Sequence, residues 1–201
     1  MRITLPTYDD IVALHQKYAP TDEVFELVFT HCQIVRDIAL QLAHTSGAAV
    51  DTELVTVGCL LHDIGVYALH DTHGQELADA AYITHGIRGE EMLRREGFAE
   101  TICRFASHHT GAGLSKQQII TRGLPLPHQD YLAETAEEAL VMYADKFHSK
   151  SQPPQFNSHA YYTQFTAQFG DESSDSFAQL TAQFGVPELT GLARQYGHSL
   201  R

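Results

Sequence analysis

Residues 52–64 constrain the fold most, because almost every side chain in this stretch is apolar. A helix that is apolar on all sides must be surrounded by other elements, so the rest of the fold has to wrap around it. The stretch closes with His62 and Asp63, and Gly65 permits the helix to end there. A buried carboxylate is costly unless a partner compensates it, and a metal cation is the most efficient partner. A histidine near the helix dipole beside an exposed aspartate is the alternative.

Elsewhere in the chain, apolar residues recur at helical intervals. Thr7 and Asp10 match a capping box ahead of a first helix, and a long helix is predicted from about Asp22 to Ser46, with Gly47 as its stop. No alternating β pattern of useful length is present. The sequence therefore predicts an all-α fold. Further helices are expected at about 86–96, 98–108 and 134–149, and in the last fifty residues.

Length and charge limit the number of domains and the partners. The 201 residues suit one domain, with a core at about 22–150 and a C-terminal helical extension at about 155–201. The chain carries 13 Lys and Arg against 25 Asp and Glu, a net charge of −12, which argues against a nucleic-acid polymer or a membrane surface as partner. Three scattered cysteines, without a leader-like or long apolar segment, predict a cytoplasmic protein with reduced thiols. The oligomeric state is left open.

Two further residues extend the His62-Asp63 pair. His31 lies on the long helix and shares a face with its aliphatic residues, so we expect it to point into the core. Asp145 stands in the apolar stretch LVMYADKF. Taken singly, each is more often a hydrogen-bonded core residue than a ligand. Together the four supply two imidazoles and two carboxylates, a set suited to Fe, Mn, Zn or Ni.

More histidines follow at the ends of the next helices. His85 precedes one helix, and His108 and His109 close another, whose apolar stripe turns His109 inward and His108 about 100° away. These histidines could complete a second ion with Asp63 as a bridge, because a carboxylate has two oxygens. Two ions ~3.5–4 Å apart form an arrangement used to hydrolyse phosphate esters.

The order of these residues resembles that of a known family, the HD-domain metal-dependent phosphohydrolases, and LLHDIG resembles its HDIG branch. The segments HGIRGEEMLRREGF and HHTGAG extend the resemblance, which spans about residues 25–150. The resemblance implies an all-helical bundle with a metal site at the centre of a five-helix core. It implies a first ion held by His31, His62, Asp63 and Asp145, and a second held by Asp63, His85 and one or both of His108 and His109.

The implied activity follows from the same resemblance. It is hydrolysis of a small phosphate ester or anhydride by a metal-activated hydroxide, with a nucleotide as the expected substrate. The expected cofactor is a pair of divalent transition-metal ions, of Fe, Mn, Zn, Ni or Co. Two rivals remain, since the HD fold also hosts mixed-valent di-iron oxygenases and an HD domain can bind a ligand without turnover.

The sequence departs from the wider family at one position. Many relatives read HDIGK, whereas Val66 stands here in place of the lysine, a cation that could contact phosphate. No GYP motif follows the histidine pair, which argues against activity of the HD-GYP kind. Arg88 lies one turn after His85 and is predicted to bind the phosphate. Arg88 and Asp63 are the two predicted catalytic residues. The alternative is that Arg88 is a solvated surface arginine. Lys146 is expected to form a salt bridge or to contact substrate.

Overall fold

The fold is a bundle of short helices around α2 and α3, and the computed structural model describes residues 4–77 and 81–201. The all-α class predicted from the sequence is confirmed. Within the described ranges the α-helices are α1 (Tyr8–Tyr18), α2 (Asp22–Ser46), α3 (Thr52–Leu61), α4 (His85–Arg95), α5 (Glu100–Ser107), α6 (Lys116–Arg122), α7 (Ala136–Asp145), α8 (His159–Thr166), α9 (Asp171–Phe184) and α10 (Thr190–Tyr196). Short 3₁₀ helices span Ile64–Leu69, Tyr82–Thr84 and Ala167–Phe169.

Local signals set the first two helices where the sequence predicts them. The amide of Asp10 donates to Thr7 Oγ1 at 3.2 Å and the amide of Thr7 donates to Asp10 Oδ2 at 2.9 Å, which completes the predicted capping box of α1. Helix α2 ends at Gly47, whose φ of 67° is left-handed and favours glycine.

Helix α3 is the buried helix that the sequence requires. The exposed fraction of Val55, Cys59 and Leu61 is 0%. The window Thr52–Leu69 is apolar and long enough to cross a membrane, with a mean hydropathy of 1.3, but 72% of it is buried inside the fold, as in the core segment of a packed domain. The helix ends at Leu61, earlier than predicted, and Asp63 then begins the 3₁₀ turn.

Gly65 brings the end of α3 against the start of α4. A Cβ at this position would overlap with the carbonyl oxygen of His85 and the backbone of Gly89. Only glycine therefore allows this approach, which sets the first residue of α4 beside the residues that follow α3.

The helix predicted at 134–149 ends earlier than predicted, so the prediction of its last turn is wrong. Helix α7 ends at Asp145, and the chain enters strand β1 (His148–Ser149), because Phe147 becomes fully buried and its carbonyl accepts the amide of Asn157 at 2.9 Å. Strand β1 pairs antiparallel with β2 (Gln155–Phe156), which pairs in parallel with β3 (Ser199–Leu200). Strands this short leave no alternating pattern in the sequence.

The C-terminal helices share a core with the rest of the bundle. Tyr162 of α8 and Phe177 and Phe184 of α9 belong to one hydrophobic cluster with residues of α2 and α7. The ring of Tyr143 on α7 lies 5.4 Å from that of Phe177 and 6.1 Å from that of Phe184, centre to centre. Strands β2 and β3 and helices α8 to α10 are therefore packed onto the bundle.

Candidate metal centre

The predicted ligands come from five helices that converge at one buried point. His31 lies in the middle of α2, His62 and Asp63 directly follow α3, and His85 begins α4. His109 follows α5, and Asp145 is the last residue of α7. These histidines and Asp63 are at most 4% exposed, so the ligand atoms lie inside the fold.

The first group of ligand atoms surrounds His31 Nε2. This nitrogen lies 3.0 Å from Asp145 Oδ1, 3.1 Å from Asp63 Oδ2 and 3.3 Å from His62 Nε2. His62 Nε2 lies 3.5 Å from each of the same two carboxylate oxygens. The four side chains can therefore offer their atoms to one ion.

The second group shares Asp63 but uses its other oxygen. Asp63 Oδ1 lies 3.3 Å from His85 Nε2 and 3.6 Å from His109 Nε2, and these two nitrogens are 2.8 Å apart. Each oxygen of Asp63 thus faces a different group of ligands. If each group held an ion, Asp63 would be a ligand to both.

Backbone carbonyls fix the tautomer of three of the histidines. Nδ1 of His62 lies 2.7 Å from the carbonyl oxygen of Cys59, Nδ1 of His85 lies 2.7 Å from that of Tyr82, and Nδ1 of His109 lies 3.2 Å from that of Phe105. A carbonyl can only accept, so each Nδ1 carries the proton. Each ring therefore turns Nε2 toward the centre as the atom that can bind an ion, as metal-ligating histidines do.

His31 is oriented by another histidine instead. Its Nδ1 lies 2.8 Å from Nδ1 of His148, whose Nε2 lies 3.0 Å from Nδ1 of His198. For His31 to keep a lone pair on Nε2, it must donate to His148, which in turn donates to His198. Burial, together with nearby His31, lowers the pKa of His148 to about 2, so this ring is neutral as the chain of donors requires.

The charge of the centre fits a cation. Asp63 Oδ1 is buried and has no hydrogen-bond partner among the described residues, and Nε2 atoms of different histidines lie 3.3 Å apart in the first group and 2.8 Å apart in the second. Burial would raise the pKa of Asp63, but the Lys150 ammonium holds it well below its usual range, so the carboxyl is ionised. Although burial acts the other way, this carboxylate raises the pKa of His62 well above its usual value, so a bound ion has to displace a proton from His62 Nε2. Burial lowers the pKa of His109 well below its usual value and keeps it neutral. Neutral imidazoles and ionised carboxylates suit a divalent transition metal.

Two lysines flank the carboxylates. Lys146 Nζ donates to Asp145 Oδ2 at 2.7 Å and to the carbonyl of His109 at 2.8 Å, so it forms the expected salt bridge. Lys150 Nζ donates to Asp63 Oδ2. The sequence analysis missed Lys150 because its position depends on the turn into β1, which no helical spacing signals.

Two predicted residues lie apart from the ligand groups. His108 bonds through Nδ1 to Ser107 Oγ at 2.6 Å and its ring packs against Tyr131, so of the histidine pair His109 is the one that faces the centre. Arg88 donates from Nε to Thr84 Oγ1 at 3.1 Å and lies outside the described residues that line the cavity. Its role as a phosphate clamp stays a prediction that the geometry does not support.

A cavity of about 470 Å³ opens from the centre. Its polar part contains His31, Asp63, His85, His109 and Asp145, together with both lysines. Its other described lining residues include apolar and aromatic side chains, among them Leu27, Leu69, Leu77, Tyr82, Tyr161, Tyr162 and Phe165. The volume suits a small molecule.

Comparison with known proteins identifies the family. The family model described as HD domain matches residues 28–150. The chain is 43% identical over 123 residues to the uncharacterized protein MJ0778 of Methanocaldococcus jannaschii, a match that covers 60% of this chain and 65% of that protein. It is 32% identical over 141 residues to a tRNA (cytidine(56)-2′-O)-methyltransferase of Thermoplasma volcanium, which covers 70% of this chain and 36% of the enzyme. The chain thus spans less than two thirds of either relative.

Solved structures share the fold. The HD domain of the L. monocytogenes phosphodiesterase PgpH superposes with a TM-score of 0.50 at 18% identity, covering 94% of this chain and 88% of that one. The same domain in complex with cyclic-di-AMP gives a TM-score of 0.54 at 17% identity, covering 95% and 99%. At this identity the likeness shows the fold alone. The family model, which matches more than half of the residues, shows that the chain belongs to the HD-domain family.

Proposed function

We propose that this chain is a metal-dependent phosphohydrolase that cleaves a small phosphate ester or anhydride, with a nucleotide as substrate. The observation that carries the proposal is the placement of Asp63, whose two oxygens face separate groups of ligands. When bound, two such ions lower the pKa of water and neutralise the charge that develops on phosphate.

The residues of the chain have distinct parts in this proposal. Asp63 joins the two groups and holds them at a fixed separation. The carbonyl contacts of His62, His85 and His109 keep their Nε2 atoms free for the ions. Burial of the centre strengthens the electrostatic attraction between the ions and a phosphate.

Lys150 is the cation best placed to contact phosphate. It lines the cavity, and its ammonium already lies against Asp63, the shared ligand. A phosphate bound by ions at Asp63 would therefore lie near the lysine, which binds phosphate as a point charge. Lys150 therefore takes the place of the HDIGK lysine, where this chain has the buried Val66.

Two observations support a small nucleotide over a polymer. The cavity of about 470 Å³ accommodates a small molecule, and the acidic chain disfavours a long polyanion. The PgpH HD domain, which shares this fold, is described in complex with cyclic-di-AMP.

Anaerobic assays of the purified protein loaded with Mn²⁺ or Co²⁺ test the proposal. We expect inorganic phosphate to be released from nucleotides, or two mononucleotides from dinucleoside polyphosphates. We expect neither product from an Asp63→Asn variant, which keeps the shape but removes the charge. Oxygen uptake by an Fe(II)/Fe(III) form without phosphate release would instead indicate an oxygenase. Nucleotide binding without either reaction would indicate a ligand-binding domain.

A further inference from the structure

One wall of the cavity is aromatic and belongs to helix α8, which lies beyond the residues that match the family model. Tyr161 and Phe165 are four residues apart and therefore share a helix face. Their rings lie 6.2 Å apart, centre to centre, with only 14° between their planes. Tyr162, from the same helix, also lines the cavity.

A series of hydrogen bonds ties this wall to the metal centre. Asn157 Nδ2 donates to the carbonyl of Lys146 at 2.9 Å, and Arg201 Nε donates to Asn157 Oδ1 at 2.8 Å. The guanidinium of Arg201 then lies 4.1 Å from the centre of the Tyr161 ring. Because Lys146 also bonds to Asp145, the aromatic wall has a fixed position relative to the ligands.

The composition of the cavity indicates the shape of its ligand. Leu27, Leu69 and Leu77 line it as well, so the site combines a charged end with flat, apolar surfaces. Tyr161 and Phe165 are only partly buried, and Arg201 lies over one face of the Tyr161 ring, so a ligand with a flat ring system would cover the surface that these two rings still expose. A sugar phosphate without a ring system of this kind would leave that surface in water.

We propose that Tyr161 and Phe165 form a base-binding subsite, which selects nucleoside monophosphates over sugar phosphates of the same charge. The inference rests on the proposed function for the position of the phosphate at the metal centre. Stacking of a base on an aromatic side chain contributes ~1–3 kcal/mol by alanine substitution, which corresponds to about 5- to 150-fold in affinity.

Kinetics with matched substrates test the subsite. For Tyr161→Ala and Phe165→Ala, we expect KM for nucleoside 5′-monophosphates to rise about 10- to 100-fold, while the constants for ribose 5-phosphate and the metal content stay unchanged. Tyr161→Phe should retain the wild-type KM because it keeps the ring. Tyr8→Ala, which removes an exposed tyrosine of α1 outside the described cavity lining, is the control. If an alanine variant fails to fold, Tyr161→Leu keeps the apolar volume without the flat ring.

Equilibrium binding separates this inference from the proposed function. Calorimetry with AMP and the metal-loaded protein should show binding that weakens about 10-fold or more in Tyr161→Ala. If the wild type binds AMP through Tyr161 but releases no phosphate, the proposed function fails and the subsite stands. Equal losses for AMP and ribose 5-phosphate, or AMP binding that ignores both substitutions, would overturn the subsite.

Discussion

Residues 28–150 and the segment that follows them contribute different things to the same cavity. Among the described residues, the first region supplies both groups of possible metal ligands from five helices, and the histidines and Asp63 of these groups are at most 4% exposed. The second supplies partly exposed aromatic residues on α8 and the outer histidine, His198. A metal centre needs fixed, buried geometry, whereas a wall that contacts a substrate can vary without disturbing the chemistry. Under the two proposals, the part shared with the family carries the reaction, and the part beyond it selects the substrate.

Loss of Asp63 should abolish metal binding by residues 28–150. We expect Asp63→Ala to remove the bound metal and all turnover, because both groups share this carboxylate. The change in the free energy of unfolding should be modest, since removing a buried charge stabilises the fold while leaving Lys150 without its partner destabilises it. Elemental analysis and thermal melts check both expectations. Asp175→Ala on the exposed surface of α9 is the matched control, and a variant that keeps two ions would rule out a bridge.

Removing one histidine from each ligand group should have different effects on metal content and rate. His85→Ala should leave about one ion and little of the rate, because His85 faces only the second group. His31→Ala should weaken the first ion and, through Asp63, the second as well. Metal content and phosphate release measured on the same samples give the answer. Full activity and full metal content in His85→Ala would show that His85 holds no ion that the reaction needs.

The role of His148 connects the two regions. Replacing it with leucine removes the acceptor for His31 Nδ1, which should weaken metal affinity about 10- to 100-fold. Competition with a chelator measures this affinity directly. His148→Gln offers a side-chain oxygen and should recover part of it. Unchanged affinity in both variants would show that His31 needs no partner.

The smallest expected effects are those of replacing Lys150 and Arg88, which compare two cations that could bind the phosphate. Lys150→Met should raise KM for phosphate substrates about 10-fold with metal content unchanged, because the lysine lines the cavity and binds phosphate as a charge. Arg88→Ala should change KM little, since its guanidinium contacts Thr84. Steady-state kinetics of both variants check this, and the opposite ranking would restore the clamp predicted from the sequence.

The sequence predicts local features well and long-range ones poorly. Helix α2 begins after Thr21, which caps it, and ends at Gly47. The ligands can be recognised in the sequence because a charged residue in an apolar helix needs a partner. The positions of Lys150, His148 and His198 depend instead on pairing between β1, β2 and β3, of which β3 comes far later in the sequence than the other two. Arg88 shows the limit of helical spacing, because a shared helix face does not determine where a long side chain bonds.

The central claim is that two ions share Asp63, and titration with Mn²⁺ followed by electron paramagnetic resonance tests it most directly. Ions at the ~3.5–4 Å expected for a bridged pair are magnetically coupled. We predict two Mn²⁺ bound per wild-type chain with a coupled spectrum, and one Mn²⁺ with an isolated spectrum in His85→Ala. A wild-type protein that binds a single, uncoupled Mn²⁺ at saturation would contradict the account.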